Sequence, residues 1–404
     1  MKLSEELTWR GFKAETTFAD ISDLDKGPRK FYFGADPSSD SLTIGNLASL
    51  MMVYCFARHG YEPFLLVGGA TGQIGDPKDT EERQLKALDE VAHNKACIAE
   101  QFKRILKLND EFTLVDNYDW FKNIHYLDFL REVGKQFSMT QLLDREFVKA
   151  RIGKDGVGIS YAEFSYSLIQ GYDFLHLYRE YGVDMQLCGA DQFGNCVSGI
   201  HLIKRLEGSE ADVWSTPLVI NKSTGRKFGK SEAGAVWLDE KKTSVYNFYQ
   251  FWLNLDDEGV DYYMRIYTLL GKEELEHVLS RHRENPSERI AQRTLALEVT
   301  KIVHGESKAR NAENLTAVLF GGKSIDSLSS DEIKLLSDEI PTVAIGKNIV
   351  DALVESGEAS SKSEARRLVS SGAVSVNGEK MSDDAVLDGL SLVKKGKNKF
   401  ILVE

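Results

Sequence analysis

The chain has 404 residues, 42% of them hydrophobic, and a formal charge of −12. That length suits two or three domains of ~150 residues each, and the apolar content fills a real core, which excludes wholesale disorder. The negative charge excludes a protein that coats nucleic acid over its whole surface, while leaving room for a local basic patch. No run approaches the ~18 apolar residues of a membrane span, and the start, MKLSEELTWRGFKAE, has no apolar signal core. Cys55, Cys97, Cys188 and Cys196 form no CxxC pair, so they read as reduced core thiols of a cytoplasmic protein.

Taken in order, residues 1–30 read as a helix followed by irregular chain. The stretch 31–47, FYFGADPSSDSLTIGNL, begins as a buried strand and turns through Gly34, Asp36-Pro37 and two serines. It then enters the apolar run LASLMMVYCFARHG, which reads as a helix. A helix N-terminus carries unpaired N–H groups and a partial positive charge, which suits a phosphate. Gly45 just inside that helix costs ~1 kcal/mol against alanine. Either a close helix–strand crossing or a flat ring laid on the backbone would account for it. A second strand at 63–67 ends in GGATGQIGDP, so strand, helix and strand form a βαβ unit of a parallel sheet. The glycines there make either an ordinary turn or room for a ligand at the carboxyl edge, where Asp76 could hold an ammonium group.

Residues 80–150 read as helical, with a short strand at 114–117, a helix start at 117–120 and one amphipathic helix over 129–143. In the helix around 164–173, Tyr166, Gln170 and Asp173 share a face while Phe164, Leu168, Ile169 and Phe174 surround them. A polar stripe inside an apolar helix needs a polar counterpart. Residues 185–195, MQLCGADQFGN, form a strand that ends in Gly-Ala-Asp-Gln at the same edge. A strand over 216–220 precedes NKSTGRKFGKS, where Lys222, Arg226, Lys227 and Lys230 stand without an acid. A P-loop fits poorly, because only three residues separate Gly225 from Gly229.

Residues 237–325 read as helical and 322–346 as a Ser- and Gly-rich linker. Segment 346–404 balances nine Lys and Arg against nine Asp and Glu. It reads as two helices, the second capped by Ser361 with Glu364 and presenting Lys362, Arg366 and Arg367 on one basic face. An Asn377-Gly378 hairpin and the run KKGKNK follow.

The order of these motifs resembles the class I aminoacyl-tRNA synthetases, and within them the bacterial tyrosyl branch. The residues that carry the resemblance are DPSSDSLTIGNL, with Thr43 and Asn46 where that family usually has histidines, together with Asp76, Tyr166-x3-Gln170-x2-Asp173, GADQ and the loop KFGKS. It implies an α/β chain: a Rossmann-like parallel-sheet catalytic domain over 1–220, then a mobile loop and α-helical anticodon-binding domain over 221–325. A linker over 326–345 and a small α+β RNA-binding domain over 346–404 complete it. It implies an enzyme that joins tyrosine to ATP, accompanied by Mg2+, and passes the tyrosyl group to tRNA(Tyr), working as a cytoplasmic homodimer.

By the same resemblance, Tyr32 and Asp173 meet the phenol, while Asp76, Tyr166 and Gln170 hold the ammonium group. Gln186 also contacts tyrosine. Gly34, Asp36, Gly45, Gly189, Asp191 and Gln192 line the ATP site. Ser38, Thr43, Asn46, Lys227, Lys230 and Ser231 serve catalysis, with Lys230 also on ATP, and Arg83 steers pyrophosphate. Lys362, Arg366 and Arg367 meet RNA. Two other classes remain beside this one: a P-loop ATPase, and a catalytically weak RNA-binding relative suggested by Thr43 and Asn46.

Overall fold

Five short apolar runs build the first sheet. In the computed structural model, which describes residues 1–77, 84–107, 112–143, 146–152, 157–231 and 234–404, they are β1 (Lys30–Ala35), β2 (Glu62–Val67), β3 (Thr113–Val115), β4 (Met185–Gly189) and β5 (Asp212–Thr216). All pair in parallel, in the order β3-β2-β1-β4-β5. The chain therefore builds outward from β1 in one direction and, after β3, in the other. The seam between β1 and β4 is the switch point at which open α/β sheets hold ligands.

Period-two alternation splits β1 between two cores. Phe31 and Phe33 face one side, where their rings meet Phe56 and Phe102 at 5.7 and 6.3 Å. Phe56 belongs to α1 (Ile44–Arg58) and Phe102 to α2 (Leu88–Leu106). Tyr32 faces the opposite side, in a core with Phe64, Leu66, Cys188 and Val213. That core is roofed by α3 (Tyr161–Tyr181) and α4 (Phe193–Leu206). Gly171 and Gly199 let those helices cross closely. A Cβ on Gly199 would stand 2.6 Å from Phe174, and one on Gly171 3.1 Å from Ser198. The close crossing holds the polar stripe of α3 against the sheet.

The N-terminal helix Leu3–Arg10 is bolted on by buried polar groups. Arg10 bonds Glu6 and also donates to the carbonyls of Arg265, Thr268 and Leu270. Glu6 accepts further bonds from Arg58 and His59. These residues belong to one compact unit, residues 1–243 with 252–295.

The other unit comprises residues 244–251 and 296–404. Its five-stranded sheet mixes parallel and antiparallel pairs, with Glu379–Lys380 at one edge and Thr342–Val343 at the other, beside the last strand Lys399–Val403. Ile349–Glu355 and Lys362–Ser370 contribute to one core that includes Val393 and Ile401. Leu392, Phe400 and Leu402 instead join a second core with Leu315, Val318, Leu319 and Leu336. The hairpin turn has Asn377 and Gly378 at φ 49 and 89, the paired positive values that the dipeptide favours.

Three local readings change. Residues 129–143 form no single helix: Tyr126–Glu132 is followed by a 3-10 turn, Gly134–Gln136, and extended Phe137 before Met139–Leu143. The strand expected over 216–220 lies earlier, at Asp212–Thr216, and ends where Pro217 removes a backbone donor. The stretch expected to be a linker contains a helix, Ser330–Glu339, capped by Ser329 and Glu332, because its acids and serines supply a capping box. Arg83 lies outside the described residues.

Candidate active site

A cavity of about 590 Å³ opens at the carboxyl ends of β1 and β4, a size that suits a small organic ligand. Its depth follows burial. Tyr32, Tyr166, Asp173 and Gln186 line the closed end and are buried, Tyr32 and Asp173 to 1% and 2% exposure. Gly34, Ser38, Asn46, Asp191 and Lys227 line the same cavity and are exposed, so they mark its mouth.

Tyr32 and Gln186 arrive together because they are register partners across the β1–β4 seam. Asp173 arrives from α3. Its carboxylate accepts from Asn117 Nδ2 at 3.1 Å and from Trp120 Nε1 at 3.0 Å. Burial pushes that carboxyl well above the usual range, against the lowering effect of those two donors. Burial likewise pushes the Tyr32 phenol up. Tyr32 Oη, Gln170 Oε1 and Gln186 Oε1 are buried without a hydrogen bond of good geometry inside the protein. Buried polar atoms left so cost on the order of 1–3 kcal/mol each. Three around one cavity point to a polar ligand that completes them.

Tyr166 is held by a neighbour that the sequence reading does not name. Its hydroxyl donates to Asp36 Oδ2 at 2.6 Å. Asp36 also accepts from Thr71 Oγ1 at 2.6 Å. Asp76 accepts from Gln192 Nε2 at 2.9 Å and from Asn195 Nδ2 at 3.4 Å. Asp76, Tyr166 and Gln170 all line the cavity. Gln170 Nε2 reaches Cys196 Sγ at 3.7 Å.

At the mouth, Thr43 caps α1 and Asn46 Oδ1 accepts from both its backbone N–H and its hydroxyl. Gly45 faces the cavity. A Cβ there would make only ordinary contacts, 3.5 Å to Thr43 and 3.9 Å to the Phe228 carbonyl. Crowding by protein does not require this glycine, which removes the close-crossing explanation. Gly189 and Asp191 complete that side.

The loop after β5 lies against α1 through backbone pairs. Ile44 N–H donates to Val236 at 3.1 Å, and Thr43 bridges Trp237. Phe228 is the anchor. It is buried and stacks on Tyr263 at 4.6 Å, with Trp252 and Tyr267 at 5.7 and 5.8 Å. Lys227 lines the cavity, whereas the Lys222 ammonium sits over the Tyr262 ring at 4.4 Å. Lys230 and Ser231 enter a short hairpin with Gly234–Ala235, where a P-loop would open a helix. The side chains of Lys230 and Ser231 lie outside the described residues.

Far along the chain, Arg366 and Arg367 are exposed on Lys362–Ser370, and Lys362 pairs with Asp351 at 2.6 Å. Ser361 caps that helix as expected, accepting from the Glu364 N–H at 3.3 Å, while the Glu364 carboxylate bonds Ser360 instead of returning to Ser361.

Sequence reasoning misses Thr71, Asn117 and Trp120. From the sequence Asn117 is only a helix start. Its one signal is its position, directly after a parallel strand at the sheet's carboxyl edge.

A family model described as tRNA synthetases class I (W and Y) matches residues 24–321, and one described as a tyrosine–tRNA ligase C-terminal domain matches residues 332–403. The tyrosine–tRNA ligase of Latilactobacillus sakei is 41% identical over 98% of each chain. The chain belongs to the tyrosine–tRNA ligase family of class I tRNA synthetases. Its family relative in Leuconostoc citreum is 42% identical over 100% of this chain and 99% of its own. Among solved structures, a C-terminally truncated mitochondrial tyrosyl-tRNA synthetase from Coccidioides posadasii superimposes with a TM-score of 0.67. The two are 27% identical, over 78% of this chain and 91% of that one. A tryptophanyl-tRNA synthetase from Encephalitozoon cuniculi, 12% identical with a TM-score of 0.55, shares the fold.

Proposed function

We propose that this chain activates L-tyrosine with ATP, releasing pyrophosphate, and transfers the tyrosyl group from the adenylate to the 3′ adenosine of tRNA(Tyr). The observation that carries the reading is the pairing of buried Asp173 with a buried Tyr32 hydroxyl that lacks a well-formed hydrogen bond. A phenol entering there donates to Asp173 and accepts from Tyr32. Phenylalanine leaves the Tyr32 hydroxyl without a partner and gives the buried Asp173 carboxylate no donor beyond Asn117 and Trp120, and tyrosyl-tRNA synthetases are themselves the standard example of how strongly such a site rejects it.

In this reading Asp76, Gln170 and Tyr166 hold the ammonium group, Tyr166 turning from Asp36 or sharing it, and Gln186 contacts tyrosine beside them. Gly34, Asp36, Gly45, Gly189, Asp191 and Gln192 cradle ATP, whose Mg2+ enters on the phosphates as part of the substrate. Ser38, Thr43 and Asn46 stand at the phosphate end. Lys227, Lys230 and Ser231 neutralise charge building on the leaving pyrophosphate, where each preorganised donor is worth roughly 3 kcal/mol. The tyrosine carboxylate attacks the α-phosphorus, so positioning and charge stabilisation do the catalysis and no side chain becomes a nucleophile.

Lys362, Arg366 and Arg367 contact RNA from the C-terminal module. A cytoplasmic homodimer is proposed, supported by exposed apolar side chains at Tyr126, Leu127, Met139 and Tyr161. The test is amino-acid-dependent ATP–pyrophosphate exchange across the twenty amino acids. Exchange with tyrosine and none with phenylalanine is expected. Exchange that ignores the amino acid, or hydrolysis of ATP without one, overturns the reading.

A further inference from the structure

One hydrogen-bonded relay connects the two ends of the cavity. Tyr166 donates to Asp36, Thr71 donates to the other oxygen of Asp36, and Asn117 Nδ2 donates to Thr71 Oγ1 at 3.0 Å. The second Nδ2 proton of Asn117 goes to Asp173, and Asn117 Oδ1 accepts from Ala70 N–H at 2.7 Å. Each polar valence that fixes this amide is used: two donors to side chains of the relay and an acceptor to backbone. Asn117 is fully buried, and it cannot flip without losing all three bonds. The backbone is shaped to the same relay. A Cβ on Gly68 would stand 2.0 Å from Thr71 Oγ1 and 2.4 Å from Asp36.

We propose that Asn117 is a positioning residue that couples the Tyr166 end of the cavity to the Asp173 end, so that anchoring of the substrate ammonium and recognition of its phenol are set jointly. The proposal rests on the tyrosine reading of the site. The coupling runs through shared partners. A group that reorients Tyr166 alters the demand on Asp36, hence on Thr71, hence on the one amide that also holds Asp173. Contacting polar networks are where substitutions stop adding. Trp120 supplies an internal contrast. It holds Asp173 with equal directness but shares no bond with Thr71 or Asp36.

The test is a double-mutant cycle on kcat/KM for tyrosine in the full chain, by ATP–pyrophosphate exchange. Asn117→Ala lowers discrimination against phenylalanine about tenfold. Combined with Tyr166→Phe it departs from additivity by about fivefold or more. Trp120→Phe also lowers discrimination, yet adds independently with Tyr166→Phe. Thr71→Val cuts the relay one link away: it leaves the Asn117–Asp173 bond and the phenylalanine discrimination in place, yet departs from additivity with Tyr166→Phe by about fivefold or more. This variant carries the test if Asn117→Ala does not fold. Additivity within twofold for both Asn117→Ala and Thr71→Val overturns the coupling. Asp173→Asn that retains tyrosine preference overturns the tyrosine reading and the proposal with it, whereas additive cycles alongside a lost preference overturn the coupling alone.

Discussion

Thr43 and Asn46, the two positions where the chain departs from the family's usual histidines, are hydrogen-bonded to each other. Asn46 Oδ1 lies 2.9 Å from the Thr43 hydroxyl and 3.0 Å from its N–H. The pair closes the first turn of α1 while leaving its mouth polar. Asn46→Ala removes both bonds and Thr43→Ala the hydroxyl bond, which the two substitutions share. Thr43→Ala and Asn46→Ala should each cost about 1 kcal/mol of stability, and the double variant little more than either. Thermal unfolding of the three variants checks this.

Gly45→Ala separates fold from ligand. A Cβ meets nothing closer than 3.5 Å, and alanine is the better helix former by ~1 kcal/mol. The variant should melt at or above the parent temperature, while its KM for ATP rises about tenfold and that for tyrosine holds. An unchanged ATP KM would place the nucleotide elsewhere.

Asp173→Asn should have a pH-dependent effect on the empty protein. Burial raises the folded-state pKa of Asp173 above its unfolded value. The stability this group contributes is therefore complete below about pH 4 and lost as pH rises through the folded value. Asparagine does not titrate. The melting temperature of the variant relative to the parent should climb from about pH 4 towards about pH 8, while tyrosine affinity is lost. A flat difference over that range would show the carboxyl unperturbed.

Glu6 runs the opposite way. Burial alone would raise it, but bonds from His59, Arg10 and Arg58 hold it down to about 2. Its contribution is present above its ordinary value near 4.5 and fades as pH falls towards 2. Glu6→Gln should destabilise the protein at about pH 7 by up to about 3 kcal/mol, less where water screens Arg58, and the gap should close on acidification. Melting curves of the two proteins from about pH 7 to about pH 3 decide it.

Lys230→Ala should slow pyrophosphate exchange about a hundredfold with nearly normal tyrosine KM, because its charge is needed only as pyrophosphate leaves. Equal exchange rates would remove the loop from the chemistry.

β1, β2 and β4 are legible in the sequence because their apolar runs end at glycines, whereas β5 carries polar ends, stops at Pro217 and is misplaced. The Tyr166–Gln170–Asp173 stripe is legible because polar groups at helical spacing stand out among Phe164, Leu168 and Phe174. What escapes are groups whose work is set by distant partners. Asn117 looks like any helix cap until β3 carries it to Asp173. Tyr166 has a neighbour in Asp36 that lies 130 residues away. The break at Gly134–Phe137 escapes because its amphipathic spacing continues across the interruption.

The terminal strand has a bearing on how this chain can be cut. Phe400 meets the Phe320 ring edge-on at 5.2 Å, and Leu402 is sealed in with Leu315 and Leu319. Trimming at residue 346 would strip those neighbours from the helix Glu306–Phe320 and leave an oily seam in water. A soluble fragment that keeps this helix therefore needs polar replacements at Leu315 and Leu319, and expression yields of shortened chains should follow how much of that seam each one leaves bare.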